Sequence, residues 1–217
     1  MSLTIAVEPH PQLVMGSFAI RLARPLGEIE SPETLARVQS ASHPPPLTPV
    51  DAVKPVRDLL RHGGFKPAGR NKPASEYLSA AFAEGRVPRI NALVDMCNVV
   101  SLHSGLPISL VDLDLVEPPL AIRIAVAGTS YVFNPSGQVI DASGLVCLHD
   151  ALGPTGTPVK DAQRTKTSDA TRAALVVVWG TRALPDRTEA ATAWYRELAA
   201  QIGVVEDVAT SAAPAGS

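Results

Sequence analysis

The stretch that decides the fold is residues 89–114, RINALVDMCNVVSLHSGLPISLVDLD. After Arg89, its first half is apolar except for Asn91, Asp95, Asn98 and Ser101, which we call the polar stripe. At 100° per residue, the first three of these fall on one side of a helix. A buried polar group without a partner costs about 1–3 kcal/mol, so the stripe requires specific partners. Two interpretations stay open: the stripe ties the helix to neighbouring loops, or it faces a pocket and presents amides to a polar ligand.

Segments on both sides of this helix show a change of period that predicts the fold class. Before it, capping and stop signals predict further helices, and a strand precedes them. After Pro107 the pattern becomes short, β-rich and divided by turn residues. The predicted helices are 31–38, 48–62, 73–85, 91–103 and 186–201, with a proline-rich connector at 40–47; the predicted strands are 13–24, 120–126, 130–133, 138–140, 145–148 and 173–179. Helices in the first half and strands in the second favour an α+β fold with helices packed on a mostly antiparallel sheet.

Length and pattern also predict the domain organisation. The 217 residues are enough for one large domain with a substantial core. Residues 13–202 are expected to form this single domain. Residues 1–12 are expected to be loosely ordered, and 203–217, which end in SAAPAGS, to be a disordered tail.

Composition limits the classes of function. The chain is 46% hydrophobic and 18% charged, with a net charge of −2, so it lacks the global positive charge of most nucleic-acid binders. Neither Cys97 nor Cys147 has the spacing of a metal ligand, and both lie in apolar contexts that favour a reduced, cytoplasmic setting. We predict no metal and no cofactor. We also predict no membrane association, because no apolar run is long enough to span a bilayer. No signal peptide is expected at the start of the chain.

One segment is nevertheless strongly basic. Residues 54–89 contain eight Lys or Arg and three Asp or Glu side chains, although the whole chain is net acidic. Within this segment, Arg61, Lys66, Arg70 and Lys72 are candidates for contacts with RNA phosphates, and Gly69 would allow a backbone to approach closely. The alternative is an ordinary solvated surface.

A second candidate region is rich in hydrogen-bond donors. Residues 160–169, KDAQRTKTSD, follow the predicted flexible segment 153–158 and could clamp a carboxylate, a phosphate or a ribose. The alternative is that Thr167 and Ser168 make local turn bonds. Asp112 and Asp114 would share one face of a strand and suit a cation or acid–base chemistry, although such residues more often cap turns. The sequence contains no Gly-x-Ser-x-Gly motif and no phosphate-binding glycine loop.

Three blocks of sequence resemble the B3/B4 domain of the phenylalanyl-tRNA synthetase β subunit, and more closely the stand-alone bacterial proteins built from that domain. They are GFKPAGRNKPASEYL at 64–78, INALVDMCNVVSLHSGLPISLVDLD at 90–114, and VKDAQRTKTSDATRAALVVVWG at 159–180. The resemblance implies a layered β/β/α sandwich of mostly antiparallel strands flanked by helices, and a tRNA-associated role. In the synthetase, the domain hydrolyses tyrosine wrongly attached to the phenylalanine tRNA. Matching the blocks places Ser109 and Gln163 where the synthetase has a histidine and a glutamate, which puts tyrosine as the substrate in doubt.

Two functional hypotheses follow from the resemblance and the residues together. The first is an enzyme that hydrolyses mischarged aminoacyl-tRNA in trans, and the second is a non-catalytic module that binds RNA or a small amino-acid-like ligand. The residues predicted to bind substrate are Asn91, Asn98, Ser101, Ser109, Gln163, Arg164, Thr165 and Lys166; no catalytic residue is assigned. The expected partner is tRNA or aminoacyl-tRNA. We expect the Arg164 guanidinium at the mouth of the pocket and not in a surface ion pair, so that Arg164→Ala would weaken binding and leave stability nearly unchanged.

Overall fold

The computed structural model describes residues 3–33, 47, 50–87 and 89–213. Four α-helices lie in these residues: α1 Val53–Arg61, α2 Ala74–Ala83, α3 Ala92–Ser104 and α4 Arg187–Ala199. The strands are β1 Thr4–Val7, β2 Leu13–Arg21, β3 Ile108–Asp112, β4 Leu120–Ile124, β5 Ser130–Val132, β6 Val139–Asp141, β7 Val146–Asp150, β8 Gly153–Gly156, β9 Ala173–Thr181, β10 Val204–Glu206 and β11 Ala209–Ala212. Among them, no helix is long and apolar enough to cross a membrane.

Two sheets and one hairpin form the β structure of the described residues. One sheet has the strand order β10–β2–β9–β3 and is antiparallel throughout. The other has the order β11–β1–β4–β7–β8, in which only β1 runs parallel to its neighbours β11 and β4. Strands β5 and β6 form the separate hairpin. The predicted α+β class, with mostly antiparallel strands flanked by helices, is confirmed.

Strand β9 lies in the interior of its sheet, and all nine of its residues are buried. This explains its continuous apolar sequence, because a strand covered on both faces needs no alternation. Helix α4 packs on β2 and β9 through its aromatic residues: the rings of Tyr195 and Phe18 lie edge to face at 5.2 Å. The Tyr195 hydroxyl donates to the Leu93 carbonyl at 2.8 Å and so links α4 to α3, the helix that carries the polar stripe.

Within the described residues 3–12 and 203–213, the predictions for the two chain ends were wrong. Residues 4–7 and 209–212, expected to be loosely ordered and disordered, pair with each other as parallel strands, and residues 204–206 pair with β2. The terminal strands gain their backbone hydrogen bonds from partners far away in the chain: β1 from β11 and β4, and β10 from β2. No local pattern reveals such pairing. The single domain over 13–202 stays a prediction. The predicted helix at 31–38 and the connector at 40–47 lie largely outside the described residues.

The segment 153–158 was also predicted wrongly as flexible. It contains β8, which pairs antiparallel with β7, and residues 154–158 are buried. Gly156 serves close packing, because a Cβ there would lie 3.0 Å from that of Ser109, whereas Gly153 adopts a positive φ of 126°. The donor-rich loop that follows is therefore attached to a rigid strand.

Candidate ligand-binding site

The polar stripe on α3 mostly holds the helix in place. Asn91 is the N-cap residue, and its Oδ1 accepts a hydrogen bond from Val94 N at 3.0 Å. Asp95 is buried, and its carboxylate accepts bonds from Arg89 Nε at 2.6 Å and from Ile90 N at 2.9 Å. Ser101 is also buried, and its hydroxyl donates to the Leu106 carbonyl at 2.7 Å. The structure thus gives Asn91, Asp95 and Ser101 structural partners, in line with the first of the two interpretations.

Asn98 differs from the rest of the stripe because it lines a cleft between α2 and α3. The cleft has a volume of about 190 Å³. Its other walls are apolar: Leu78, Phe82, Gly85, Val87, Val99 and Leu102. Asn98 is therefore the member of the stripe that presents an amide to an open space.

Ser109 lies in the core and is already committed to structural hydrogen bonds. Its hydroxyl accepts a bond from Trp179 Nε1 at 2.8 Å and donates to the Thr157 carbonyl at 3.2 Å. The residue has no exposed surface. Its position does not fit the predicted role in substrate binding, because a ligand would have to displace Trp179 or break the hydrogen bond between Ser109 and Thr157.

The structure commits the Arg164 guanidinium to an ion pair with a buried carboxylate, which differs from its expected placement at a pocket mouth; its role in substrate binding stays a prediction. Its guanidinium forms a bidentate ion pair with Asp150, with Nη1–Oδ2 and Nη2–Oδ1 distances of 2.8 and 2.5 Å. The Asp150 side chain is fully buried, and burial by itself would raise its pKa. The Arg164 guanidinium and the amides of Glu117 and Leu152 outweigh that effect and hold the pKa of Asp150 below its usual range. Arg164 therefore anchors the loop to the end of β7.

The acidic pair predicted from strand geometry is also divided by the structure. Asp112 ends β3, is buried, and accepts hydrogen bonds from the Thr171 hydroxyl at 2.6 Å and from Asp114 N at 3.0 Å. Asp114 lies in the following turn and not on the same strand face. The described residues contain no group of three or more His, Cys, Asp or Glu side chains that could hold a metal ion.

The cations of the basic segment divide into two groups. Most of them are neutralised by ion pairs: Lys54 and Arg61 with Asp58, Arg57 with Glu76, Arg86 with Glu84, and Arg89 with Asp95. Arg61, a predicted phosphate contact, is thus part of a helical surface pair. By contrast, within the described part of the chain no carboxylate lies at ion-pair distance from the other cations of the segment, Lys66, Arg70 and Lys72.

Of these unpaired cations, Arg70 acts through its charge on Lys160, a side chain of the donor-rich loop. Lys160 Nζ lies 4.2 Å from the centroid of the Phe133 ring and 5.3 Å from that of Tyr77. Lys166 Nζ donates to the Phe133 carbonyl at 2.5 Å. A backbone hydrogen bond links the basic segment to the residues just before the donor-rich loop: Ala74 N donates to the Pro158 carbonyl at 2.9 Å. We call Arg70, Tyr77, Phe133, Lys160 and Lys166 the cationic–aromatic site.

Electrostatic repulsion acts between Lys160 and each of the other two cations of this site, Arg70 and Lys166. Burial and the charge of Arg70 both lower the pKa of Lys160. Burial also lowers the pKa of Lys166; the positive charge of Lys160 adds to this, and the negative charge of Asp161 opposes it. Such crowding costs free energy while the site is empty, and a bound anion would relieve it. Cation–π contacts with Tyr77 and Phe133 hold the Lys160 ammonium in position.

The structure therefore brings together only some of the predicted site residues. Arg70 and Lys166 both belong to the cationic–aromatic site, where each interacts electrostatically with Lys160. Thr165 is buried, with its hydroxyl directed at the Ala162 carbonyl at 3.5 Å, and Gln163 begins the same short 3-10 helix. The sequence prediction missed the contributions of Tyr77, Phe133 and Lys160; only Lys160, in the donor-rich loop, carried a local signal.

Comparisons with known proteins agree with this architecture. The model of the B3/4 domain family matches residues 66–202, more than half of the chain, and the chain belongs to this family. A solved structure with the same fold is the crystal structure of an N-terminal fragment of the phenylalanyl-tRNA synthetase beta-subunit from Pyrococcus horikoshii, with a TM-score of 0.51 and 11% identity. The match covers 97% of this chain and 52% of that fragment, so this chain spans about half of its length. No curated protein sequence matches the chain.

Proposed function

We propose that this B3/4 domain binds the acceptor end of tRNA, with RNA phosphates on Arg70, Lys160 and Lys166 and on the adjoining Lys66 and Lys72. The observation that carries the proposal is the cationic–aromatic site, in which Lys160 is held against two aromatic rings beside cations that have no described carboxylate at ion-pair distance. The synthetase fragment of the same fold motivates tRNA as the ligand.

The local charge is consistent with specific binding and not with general adhesion to nucleic acid. The net charge of the chain is −2, so a polyanion gains attraction at this site and not over the whole surface. Tyr77 is 38% exposed, which leaves its ring accessible to a ligand. Binding to phosphates releases counterions, so the affinity should fall steeply with salt, with a log–log slope of roughly −0.7 to −0.9 per phosphate contacted.

The test is a titration of the protein against fluorescently labelled, uncharged tRNA at several salt concentrations. Arg70→Ala should weaken binding about tenfold, the effect of losing a charge-assisted bond of about 1.4 kcal/mol, and should make the salt slope shallower. Arg61→Ala is the matched control, because it removes a cation nine positions earlier that is already paired with Asp58. Equal losses in the two variants, or an affinity that does not change with salt, would contradict the proposal.

A second candidate function is the hydrolysis of mischarged aminoacyl-tRNA in trans. The observation that favours it is the Asn98 cleft, which is apolar apart from one amide and large enough for an amino-acid side chain. Helix α2 connects the two places, since it gives Tyr77 to the cationic–aromatic site and Leu78 and Phe82 to the cleft. An aminoacyl group on a bound acceptor end could therefore enter the cleft.

A panel of mischarged aminoacyl-tRNAs tests this activity. Release of one amino acid by the protein, reduced at least tenfold by Asn98→Ala, would support hydrolysis. If every ester survives micromolar protein while uncharged tRNA still binds, the chain is a non-catalytic tRNA-binding module. If tRNA does not bind but a free amino acid does, at an affinity indifferent to salt, the cleft is a small-ligand site instead.

A further inference from the structure

Asp161 is an acidic residue at the edge of the cationic–aromatic site, next to Lys160 in the chain. Its Oδ2 accepts a hydrogen bond from Leu110 N and its Oδ1 from Thr157 N, both at 3.0 Å. These bonds fix the carboxylate between the edge strand β3 and the loop that presents Lys160. The residue as a whole is partly exposed, but its carboxyl group is enclosed by protein.

The surroundings of this carboxylate hold few charges that could compensate it. Lys166 is the cation whose charge acts on it, without a contact ion pair between them. The other titratable groups that face it are Cys97 from α3, Cys147 from β7 and Tyr131 from β5, and burial raises the pKa of each, so they stay neutral. The nearby Ser109 hydroxyl, whose proton goes to the Thr157 carbonyl, lowers the pKa of Asp161 but does not compensate its charge. Asp161 thus depends on Lys166 for charge compensation.

We propose that Asp161 is a proton-linked counter-ion of the cationic–aromatic site: its carboxylate offsets Lys166 in the empty site and takes up one proton from solvent when an anionic ligand binds. The ligand phosphate brings a second negative charge to Lys160 and Lys166. Repulsion between this phosphate and the Asp161 carboxylate favours the neutral form of Asp161. The phosphate also engages Lys166, which then compensates the Asp161 charge less, and this favours the neutral form as well. The step transfers a proton from the solvent or buffer to a carboxylate oxygen and breaks no other bond. This inference rests on the proposed binding of RNA phosphates at the same site.

The ionisation of Asp161 in the empty site supports such a role. Burial raises the pKa of Asp161 to about 6, although the Ser109 hydroxyl dipole, the bonds from Thr157 N and Leu110 N and the charge of Lys166 oppose the shift. The group is therefore ionised at neutral pH yet close to protonation. Because linkage is reciprocal, a ligand that raises this pKa must bind more tightly as the pH falls.

The experiment measures the affinity for uncharged tRNA at pH 7.5 and 5.5 and at constant ionic strength, for the native chain, Asp161→Asn and Arg70→Ala. We expect the native chain to bind about fivefold more tightly at pH 5.5, the change for a ligand that raises a pKa of about 6 by about one unit. Asp161→Asn should bind equally at both pH values and as tightly as the native chain does at pH 5.5. Arg70→Ala should bind more weakly but keep the native pH dependence.

A second measurement needs no variant and no RNA. Calorimetric titration of the native chain with sulfate near pH 7, in buffers of different ionisation enthalpy, should show uptake of a fraction of a proton per bound anion. Failure to bind tRNA, with sulfate still taking up a proton, would remove the proposed function and keep the counter-ion. Binding of tRNA that is independent of pH, or a pH dependence that persists in Asp161→Asn, would overturn the counter-ion and leave the binding function in place. Absence of proton uptake with both ligands would also overturn it.

Discussion

Replacing Arg164 with alanine should destabilise the fold, because it removes the countercharge of a buried carboxylate. The Asp150 side chain has no exposed surface, and Arg164 supplies two of its four donors; Glu117 N and Leu152 N supply the others, each at 2.9 Å. Breaking a buried ion pair by removing one partner costs about 3–5 kcal/mol. Two amides remain and the guanidinium side chain is 33% exposed, so water can partly replace it. We therefore expect a loss near the lower end, about 3 kcal/mol.

The loss can be measured by reversible urea unfolding followed through the fluorescence of Trp179 and Trp194. For a chain of this length, about 3 kcal/mol corresponds to a fall in the melting temperature of roughly 6–12 °C. Arg61→Ala is again the control, since exposed surface pairs of this kind contribute about 0–1 kcal/mol. Asp150→Asn and the double variant complete a thermodynamic cycle, and the coupling energy between the two sites should account for most of the Arg164 effect.

The pH dependence identifies the mechanism of this loss. Because the folded pKa of Asp150 is depressed, the ion pair contributes stability above the unfolded pKa of about 3.8, and this contribution disappears as the pH falls through the folded pKa. The difference between native chain and Arg164→Ala should therefore shrink below pH 4. A loss under 1 kcal/mol at neutral pH, accompanied by weaker tRNA binding, would refute the reasoning and return Arg164 to the ligand.

Two further substitutions test structural roles that the structure assigns. Burial, together with the charge of Arg123, lowers the pKa of His149 to about 4, although Asp150 opposes the shift. Unfolding therefore takes up a proton between pH 6.5 and 4. As the pH falls through that window, this histidine should lower the free energy of unfolding by about 3 kcal/mol. His149→Gln should flatten that part of a plot of unfolding free energy against pH, and an unchanged slope would contradict the assignment. Ser109→Ala should cost about 1–3 kcal/mol, because Trp179 Nε1 loses its buried acceptor. Its tRNA affinity should match that of the native chain, and a selective loss of binding in a fully stable variant would restore Ser109 to the ligand site.

The sequence was most informative where structure depends on local periodicity. The predicted helix 186–201 corresponds to α4 at Arg187–Ala199, and the predicted strand 173–179 lies within β9. In both cases one continuous segment buries its own apolar residues, so its pattern is set by its own secondary structure. The parallel pairing of β1 with β11 has no such signature, because the two strands depend on each other across almost the whole chain.

Charged residues show the same limit at the level of the site. The ion pair of Lys54 with Asp58 and that of Arg61 with Asp58 follow the helical spacings of four and three residues, so they could have been predicted from the sequence. The partner of Arg164 could not have been predicted in this way, because Asp150 comes close to Arg164 only when β7 and β8 pair. A charged loop residue therefore reveals its function only after its possible partners have been located in space.

The need for located partners also explains why the cationic–aromatic site is a stronger candidate for ligand binding than the polar stripe. The stripe is conspicuous in sequence because it interrupts an apolar helix, but a buried polar group must be satisfied internally, and most of its members are. Lys160, Tyr77 and Phe133 are separated along the chain and inconspicuous individually. Their convergence holds a cation against two rings without a described carboxylate at ion-pair distance, an arrangement that repulsion from Arg70 makes costly until an anion is bound.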